Sequence, residues 1–247
     1  MVHISIVPET IFHIGSLVVT NTLIMSWVIT LALCIFAILF SRIIKDIPGR
    51  LQNIVEGFIE ILFSAFEMVT GDRETVKKFF PITATIFIYI LIANWAGLIP
   101  GLASFGIKEI EEGHEFITPI FRSVYSDLNM PLAIAFIVVI MTQVVGLKAL
   151  GKKYISKFLN FKSPIAFFTG ILETISEFSK VISFTFRLFG NVFAGEVLLI
   201  IIAFLIPYIA PIPFLGMEIF VGLIQAVIFS VLSLIFLSMA TVHEESH

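Results

Sequence analysis

Residues 164–206 read PIAFFTGILETISEFSKVISFTFRLFGNVFAGEVLLIIIAFLI, and this stretch decides the fold class. It has no proline after its first residue, so nothing obvious interrupts a helix. Ser163 supplies a capping hydroxyl, and Pro164 suits the first helical position. The helix would be roughly 60 Å long, about twice the hydrocarbon core of a bilayer. It must tilt strongly, bend at Gly190 or Gly195, or project from the membrane. We favour tilt because apolar residues continue almost to its end.

Four further apolar runs extend this pattern along the chain. Residues 16–40, 82–99, 131–147 and 217–242 each suit one crossing of about 20 residues. Only 13% of the 247 residues are charged, against about 25% in soluble domains, and mean hydropathy is +1.07. The sequence therefore predicts a single all-α polytopic membrane domain, 1–247. About five membrane helices are expected, with 164–206 and 217–242 forming a long tilted hairpin.

Residues 49–70 have an amphipathic pattern instead of a continuous apolar one. The polar face carries Gln52, Glu56, Glu60, Ser64 and Glu67. The opposite face carries Leu51, Ile54, Val55, Phe58, Ile59, Leu62 and Phe66. Three acidic side chains make a poor membrane span, so we expect a helix lying in the membrane interface. A helix packed against other subunits is the alternative.

The charges of the connecting segments predict the orientation. Residues 41–80 carry six basic residues, and residues 148–162 carry five lysines and no acid. Residues 100–129 carry two basic residues against five acids. The positive-inside rule then places the N-terminus outside and both basic segments inside. The turn 207–216 falls outside and the C-terminus inside. We expect no cleavable signal, because no Lys or Arg precedes the first apolar run.

One face of the long fourth helix carries a line of ionisable and amide groups. At 100° per residue and with Glu173 as the reference, four further side chains fall within roughly 40° of it: Glu177, Lys180, Arg187 and Asn191. An arginine in a membrane helix costs about 2.5–3.5 kcal/mol on insertion scales. Arg187 has no acid within four residues, so its partner must come from another helix or another chain. We therefore predict that Arg187 is functional.

Structural interpretations remain open for the other polar groups of the two last helices. Glu173 fits a solvated helix start near the inner surface as well as it fits an ion path. Glu177 and Lys180 fit a local ion pair. Asn191 and Gln225 fit hydrogen bonds across membrane helices.

Two more glutamates flank the turn 207–216. A hairpin would bring Glu196 and Glu218 toward the outer side, and Gln225 shares a helical face with Glu218. A low-dielectric environment favours the protonated form of a carboxyl group, which suits proton uptake and release. Interfacial positions for both residues are the alternative.

Residues 183–196, SFTFRLFGNVFAGE, resemble the signature of subunit a of F-type ATP synthases, Arg-Leu-Phe-Gly-Asn followed by Ala-Gly-Glu. Residues 223–229, LIQAVIF, resemble the final helix of the same family, and LSMA at 237–240 also fits. Weaker similarities occur at Asn94, at 98–100 and at 126–129. The likeness covers most of the chain, and the segment around Arg187 is highly specific.

The resemblance implies a stator that lies against a rotating ring of c subunits and feeds it through two offset half-channels. Arg187 matches the essential arginine, which attracts each deprotonated ring carboxylate and separates the half-channels. The outer half-channel and rotor interface would use Glu196, Glu218, Asn191 and Gln225, and the inner path would use Glu173. Implied partners are the c ring, the b subunits of the peripheral stalk and the rest of the complex.

A bacterial inner (plasma) membrane fits the basic inner segments, and an organelle inner membrane is the alternative. Nucleotide chemistry would belong to other subunits, so we expect no enzyme activity from the isolated chain and no cofactor. The translocated ion is expected to be a proton, although a sodium ion fits the sequence too.

The sequence departs from many family members at one pair of positions. Where those proteins pair a histidine with a glutamate, this chain has Glu196 and Glu218. Two neighbouring carboxylates do not readily ionise together, so we expect the two groups to share a proton or a bridging water.

Other classes of protein fit the sequence less well. A secondary ion transporter with an intramembrane Arg/Glu path is the main alternative, but the internal repeats of many transporters are not found. The net charge of −3 gives nucleic acid no basic surface to bind. The five histidines lie in termini and loops and form no metal-ligand cluster: His3, His13, His114, His243 and His247.

Overall fold

The computed structural model describes residues 8–15, 17–99, 101–102, 105–111, 114–158, 163–207 and 209–241. Within these ranges the helices are α1 Asn21–Ser41, α2 Arg50–Thr70, α3 Arg73–Gly97, α4 Asn129–Leu150, α5 Lys152–Phe158, α6 Pro164–Leu205 and α7 Pro211–Met239. Five of these, α1, α3, α4, α6 and α7, are long and apolar enough to cross a membrane. The predicted all-α polytopic fold is confirmed.

Two short antiparallel hairpins accompany the helices, and the sequence analysis did not anticipate them. Strands β1 (Thr10–Ile14) and β2 (Leu17–Thr20) form the first, and β3 (Gly106–Glu111) and β4 (His114–Pro119) form the second. The first hairpin moves the start of the first membrane helix from residue 16 to Asn21. Thr20 fixes that start, because its hydroxyl accepts a hydrogen bond from the Leu23 amide at 3.3 Å.

Helix α2 ends and α3 begins at one sharp turn. Gly71 has φ of 68°, a left-handed conformation that glycine adopts without strain. Asp72 then caps α3 by accepting hydrogen bonds from the amides of Glu74 and Thr75 at 3.1 and 3.2 Å. These bonds lower the pKa of Asp72, whose largest stabilising contact is the Thr75 hydroxyl. The cap explains why α3 starts at Arg73 and not at residue 82.

Burial on α2 does not follow the polar and apolar faces that the sequence pattern indicated. Gln52, assigned to the polar face, is buried and bonds the backbone of Lys45 at 3.1 and 3.0 Å. Phe66 is buried and meets Phe80 of α3 edge-on at 5.9 Å between ring centroids. Leu51 and Ile54, by contrast, are 72% and 68% exposed. An interfacial location for this helix stays a prediction.

Helices α3, α6 and α7 enclose the core that positions the polar groups. Helix α3 packs most extensively on α7, and α6 packs on both α4 and α7. Phe184 of α6 and Phe229 of α7 are buried with ring centroids 4.4 Å apart. Helix α6 has 42 residues and α7 has 29, so the last two helices are the longest described. Their tilt in a bilayer stays a prediction.

Helix α7 starts earlier than the sequence analysis placed it. It begins at Pro211 instead of residue 217, with prolines in its first turn. Proline is tolerated there because the first amides of a helix have no partner within the helix. The predicted end at residue 242 lies outside the described residues, and the helix itself ends at Met239.

Candidate ion-translocation site

Arg187 lies half-buried on α6, near the middle of the candidate membrane span. Its Nη2 atom is 3.5 Å from the Ser183 hydroxyl, and its Cζ atom is 5.9 Å from the centroid of the Phe184 ring. Among the residues that the structure describes, no carboxylate forms an ion pair with it. The guanidinium thus makes only weak contacts with the described residues. Its charge has no counter-ion among them.

A groove of about 350 Å³ leads along α6 to Arg187. Its α6 side is lined by small hydroxyl residues, two cations and Phe184, and its α7 side by Leu232 and Phe236. The hydroxyl residues are Ser176, Ser179 and Ser183, which succeed one another at helical spacing. The groove therefore presents hydroxyl groups and two cations opposite the apolar side chains of α7.

Gln225 joins the two long helices at the level of Arg187. Its Nε2 atom donates a hydrogen bond to the main-chain oxygen of Arg187 at 3.1 Å. The amide therefore fixes α7 against the turn of α6 that carries the arginine. This is the interhelical bond that the sequence analysis held open as a structural interpretation of Gln225.

The main residue that sequence reasoning missed is Arg122. Its Nε atom lies 3.2 Å from Oε1 of Glu196, with side-chain exposures of 11% and 28%. The other carboxylate oxygen of Glu196 is buried and accepts no hydrogen bond from the described residues. The available sequence signal was weak: Arg122 is one of two basic residues in an otherwise acidic segment, and it was counted only as a loop charge.

Glu218 is buried on α7 directly against the backbone of Gly195 on α6. A Cβ atom added to Gly195 would overlap the Glu218 carboxyl group. Because Glu196 follows Gly195 in the chain, the hairpin brings Glu218 to the residue beside Glu196. The two glutamates that flank the interhelical turn are therefore neighbours in the fold.

Helix α3 holds α7 in place next to Glu218. Asn94 donates from Nδ2 to the main-chain oxygen of Gly222 at 3.0 Å. Trp95 donates from Nε1 to the main-chain oxygen of Ile219 at 3.0 Å. These two bonds fix the turn of α7 that follows Glu218.

The segment that carries Arg122 is itself anchored. Ser123 packs against Gly97 of α3 so closely that a Cβ there would meet its hydroxyl at 2.6 Å. Asp127 is 5% exposed and accepts hydrogen bonds from Thr22 at 3.2 Å and from the amide of Asn129 at 3.0 Å. Arg122 therefore approaches Glu196 from a fixed backbone.

The acidic residues at the other end of α6 are paired. Glu173 lies 2.8 Å from Lys157 of α5, and Glu177 lies 2.6 Å from Lys180, which confirms the local pair considered for those two residues. Gln143 of α4 donates to Glu177 at 2.9 Å and accepts from the Tyr154 hydroxyl at 3.0 Å. The two glutamates of the predicted polar line are thus paired with nearby lysines.

Tyr154 of α5 lies close to these two glutamates and stays protonated beside them. Burial, followed by the negative charges of Glu177 and Glu173, raises the pKa of the phenol to about 12. Its ring also fills the space over Gly146 of α4, where a Cβ would overlap it. Tyr154 therefore remains a hydrogen-bond donor at any physiological pH.

Asn191 is the predicted site residue that the fold leaves apart. It is half-buried on α6, and its side chain makes no hydrogen bond with any residue in the described ranges. It lies one turn beyond Arg187 on the same face of the helix. Helical spacing therefore places Asn191 on the face of α6 that carries Arg187.

Comparison with known proteins identifies the family. The family model described as ATP synthase A chain matches residues 23–238. ATP synthase subunit a of Geotalea daltonii is 35% identical over 227 residues, covering 90% of this chain and 87% of that protein. The subunit a proteins of Campylobacter jejuni (31% over 239 residues; 96% and 91% covered) and Desulfosudis oleivorans (34% over 227 residues; 90% and 88% covered) are similar. The chain therefore belongs to the ATP synthase A chain family, whose members include these subunit a proteins.

Proposed function

We propose that this chain is the stator that conducts protons through two offset half-channels to and from the carboxylates of a rotating ring of c subunits. Proton flow is thereby coupled to ATP synthesis in the other subunits of the complex. The observation that carries the proposal is Arg187, a cation within a membrane helix, beside a groove, with no ion-pair partner among the described residues.

An arginine in this position requires a counter-charge. Its insertion costs about 2.5–3.5 kcal/mol, and a carboxylate on the ring would offset that cost each time it arrives deprotonated. Arginine does not deprotonate in proteins, so it cannot relay a proton as a lysine could. Each proton that crosses about 100 mV releases roughly 2.3 kcal/mol, which is lost unless the two half-channels are kept apart.

Polar groups on both sides of Arg187 support two separate paths. The serine-lined groove extends from Arg187 toward Ser176 and the paired Glu173. Glu196 and Glu218 lie on the opposite side, toward the turn between α6 and α7. Glu173 and Glu196 are roughly 35 Å apart along the helix axis. Arg187 lies between them and would block direct transfer.

The proposed orientation in the membrane is based on the charges of the connecting segments. In the proposed orientation the N-terminus is outside, the lysine-rich segment at α5 and the C-terminus are cytoplasmic, and the membrane is a bacterial inner membrane. The b subunits of the peripheral stalk would hold the chain against rotation. These assignments rest on the positive-inside rule and on the family resemblance.

Cysteine cross-linking tests the contact with the ring. In a Cys34→Ser background, Ser183→Cys places a thiol in the groove one turn from Arg187. We expect it to cross-link with a cysteine placed one turn from the ring carboxylate in the assembled complex. Ser156→Cys, on an exposed position of α5, is the matched control and should give no product. Equal yields from both positions, or none from either, would contradict the proposed interface.

A further inference from the structure

The two neighbouring glutamates have unequal surroundings. Glu196 has a cation at 3.2 Å, the guanidinium of Arg122. Glu218 is more deeply buried, packs on the backbone of Gly195, and forms no ion pair with any described residue. Of these two acids, Glu196 therefore has an arginine beside it and Glu218 has no such partner among the described residues.

We propose that Arg122 is a positioning residue that holds Glu196 as a fixed anion, so that Glu218 alone exchanges protons on the outer path. The inference rests on the proposed function and assigns the outer-path chemistry to one of the two glutamates. It is an alternative to the expectation that the two groups share a proton or a bridging water, because an opposite charge within about 4 Å favours the ionised form of a carboxyl group.

The charged groups around Glu196 and Glu218 are consistent with one fixed anion and one acid that exchanges protons. Helix α6 contributes Glu196, helix α7 contributes Glu218, and the segment before α4 contributes Arg122. Helix α3 presents the neutral side chains of Asn94 and Trp95 to α7. Asp127, an acid five residues after Arg122, is bonded to Thr22 and Asn129.

Burial strengthens the electrostatic attraction between Arg122 and Glu196. The Arg122 side chain is only 11% exposed, so its attraction to Glu196 is weakly screened. Removal of one member of a buried pair leaves an uncompensated charge, whereas removal of both leaves a neutral site. The pair therefore predicts that two losses of function cancel when combined.

The test is a double-mutant cycle in the whole complex, read as ATP-driven acidification of inverted vesicles. Arg122→Gln and Glu196→Gln should each lower the rate at least about tenfold, because each leaves a buried partner unpaired. The double variant Arg122→Gln/Glu196→Gln should recover to within about threefold of the parent. Glu218→Gln should be inactive in either background.

Arg73→Gln is the matched control, since it removes an Arg–Glu pair (to Glu67, 3.6 Å) far from the site. It should pump like the parent. A double variant as slow as the slower single variant would overturn the proposal, because Glu196 would then itself carry protons.

Infrared difference spectroscopy gives a second readout that does not depend on the single variants assembling. Between the parent and the charge-neutral double variant, the proposal expects the loss of an ionised carboxylate band at neutral pH and no loss of a protonated acid band. Loss of a protonated acid band would overturn it. If Arg187→Ala pumps normally in the same membranes, the proposed function fails; if Arg187→Ala is inactive but the double variant is not restored, only the assignment of Arg122 fails.

Discussion

Arg187→Ala is expected to lower ATP-driven acidification of inverted vesicles at least about a hundredfold, the size seen when a preorganised charge is removed from a low-dielectric site. The physical reason is that no other cation among the described residues could take the place of the Arg187 charge. The other cation of the groove, Lys180, lies about two helical turns from Arg187 and is paired with Glu177 at 2.6 Å, so it does not take the place of the arginine. The rate of acidification after ATP addition measures the effect directly.

Arg42→Ala is the appropriate control, because it removes an exposed arginine at the end of α1 and should leave pumping intact. Immunodetection of the assembled complex should show equal amounts of both variants. Arg187→Ala vesicles that acidify at the parent rate would mean that the arginine is only a structural group within the membrane.

Gly195→Ala is expected to reduce pumping at least about tenfold while the complex still assembles. The new methyl group would overlap the carboxyl end of Glu218, which is flexible enough to move but cannot remain where it is. Displacement of a reacting group by about 1 Å costs on the order of a hundredfold in rate. Steady acidification rates, normalised to assembled complex, provide the measurement.

Gly216→Ala gives the matched control on α7. A Cβ at that position meets no heavy atom within 4 Å, so we expect parent-like pumping. If Gly195→Ala also pumps like the parent, the close approach of Glu218 to α6 has no role in proton transfer.

Local sequence signals predicted the long helix well. Ser163 and Pro164 marked its start, the absence of further proline allowed 42 residues, and Arg187 stood out because an isolated charge in an apolar run is costly. These signals depend only on residues within one helix. They therefore hold whatever the rest of the chain packs against that helix.

Contacts between distant segments were not predictable in the same way. Arg122 meets Glu196 across 74 positions of sequence, and the packing of its segment on α3 and its bond to α1 bring the two together. Similarly, Gln52 is buried because the chain at Lys45 turns back over it. Residues 17–20 read as part of an apolar run, but pairing with β1 made them a strand.

The proposed separation of two half-channels by Arg187 is tested most directly by proton permeability with rotation blocked. The ring is locked to the chain by the Ser183→Cys cross-link, and proton flow is driven by an imposed membrane potential in vesicles stripped of the water-soluble sector. With Arg187 present, locked vesicles should be proton-tight, because a carboxylate cannot pass from one half-channel to the other. With Arg187→Ala, locked vesicles should leak, because one ring carboxylate then serves both half-channels. Locked Arg187→Ala vesicles as tight as those with Arg187 would contradict the proposed role of this residue.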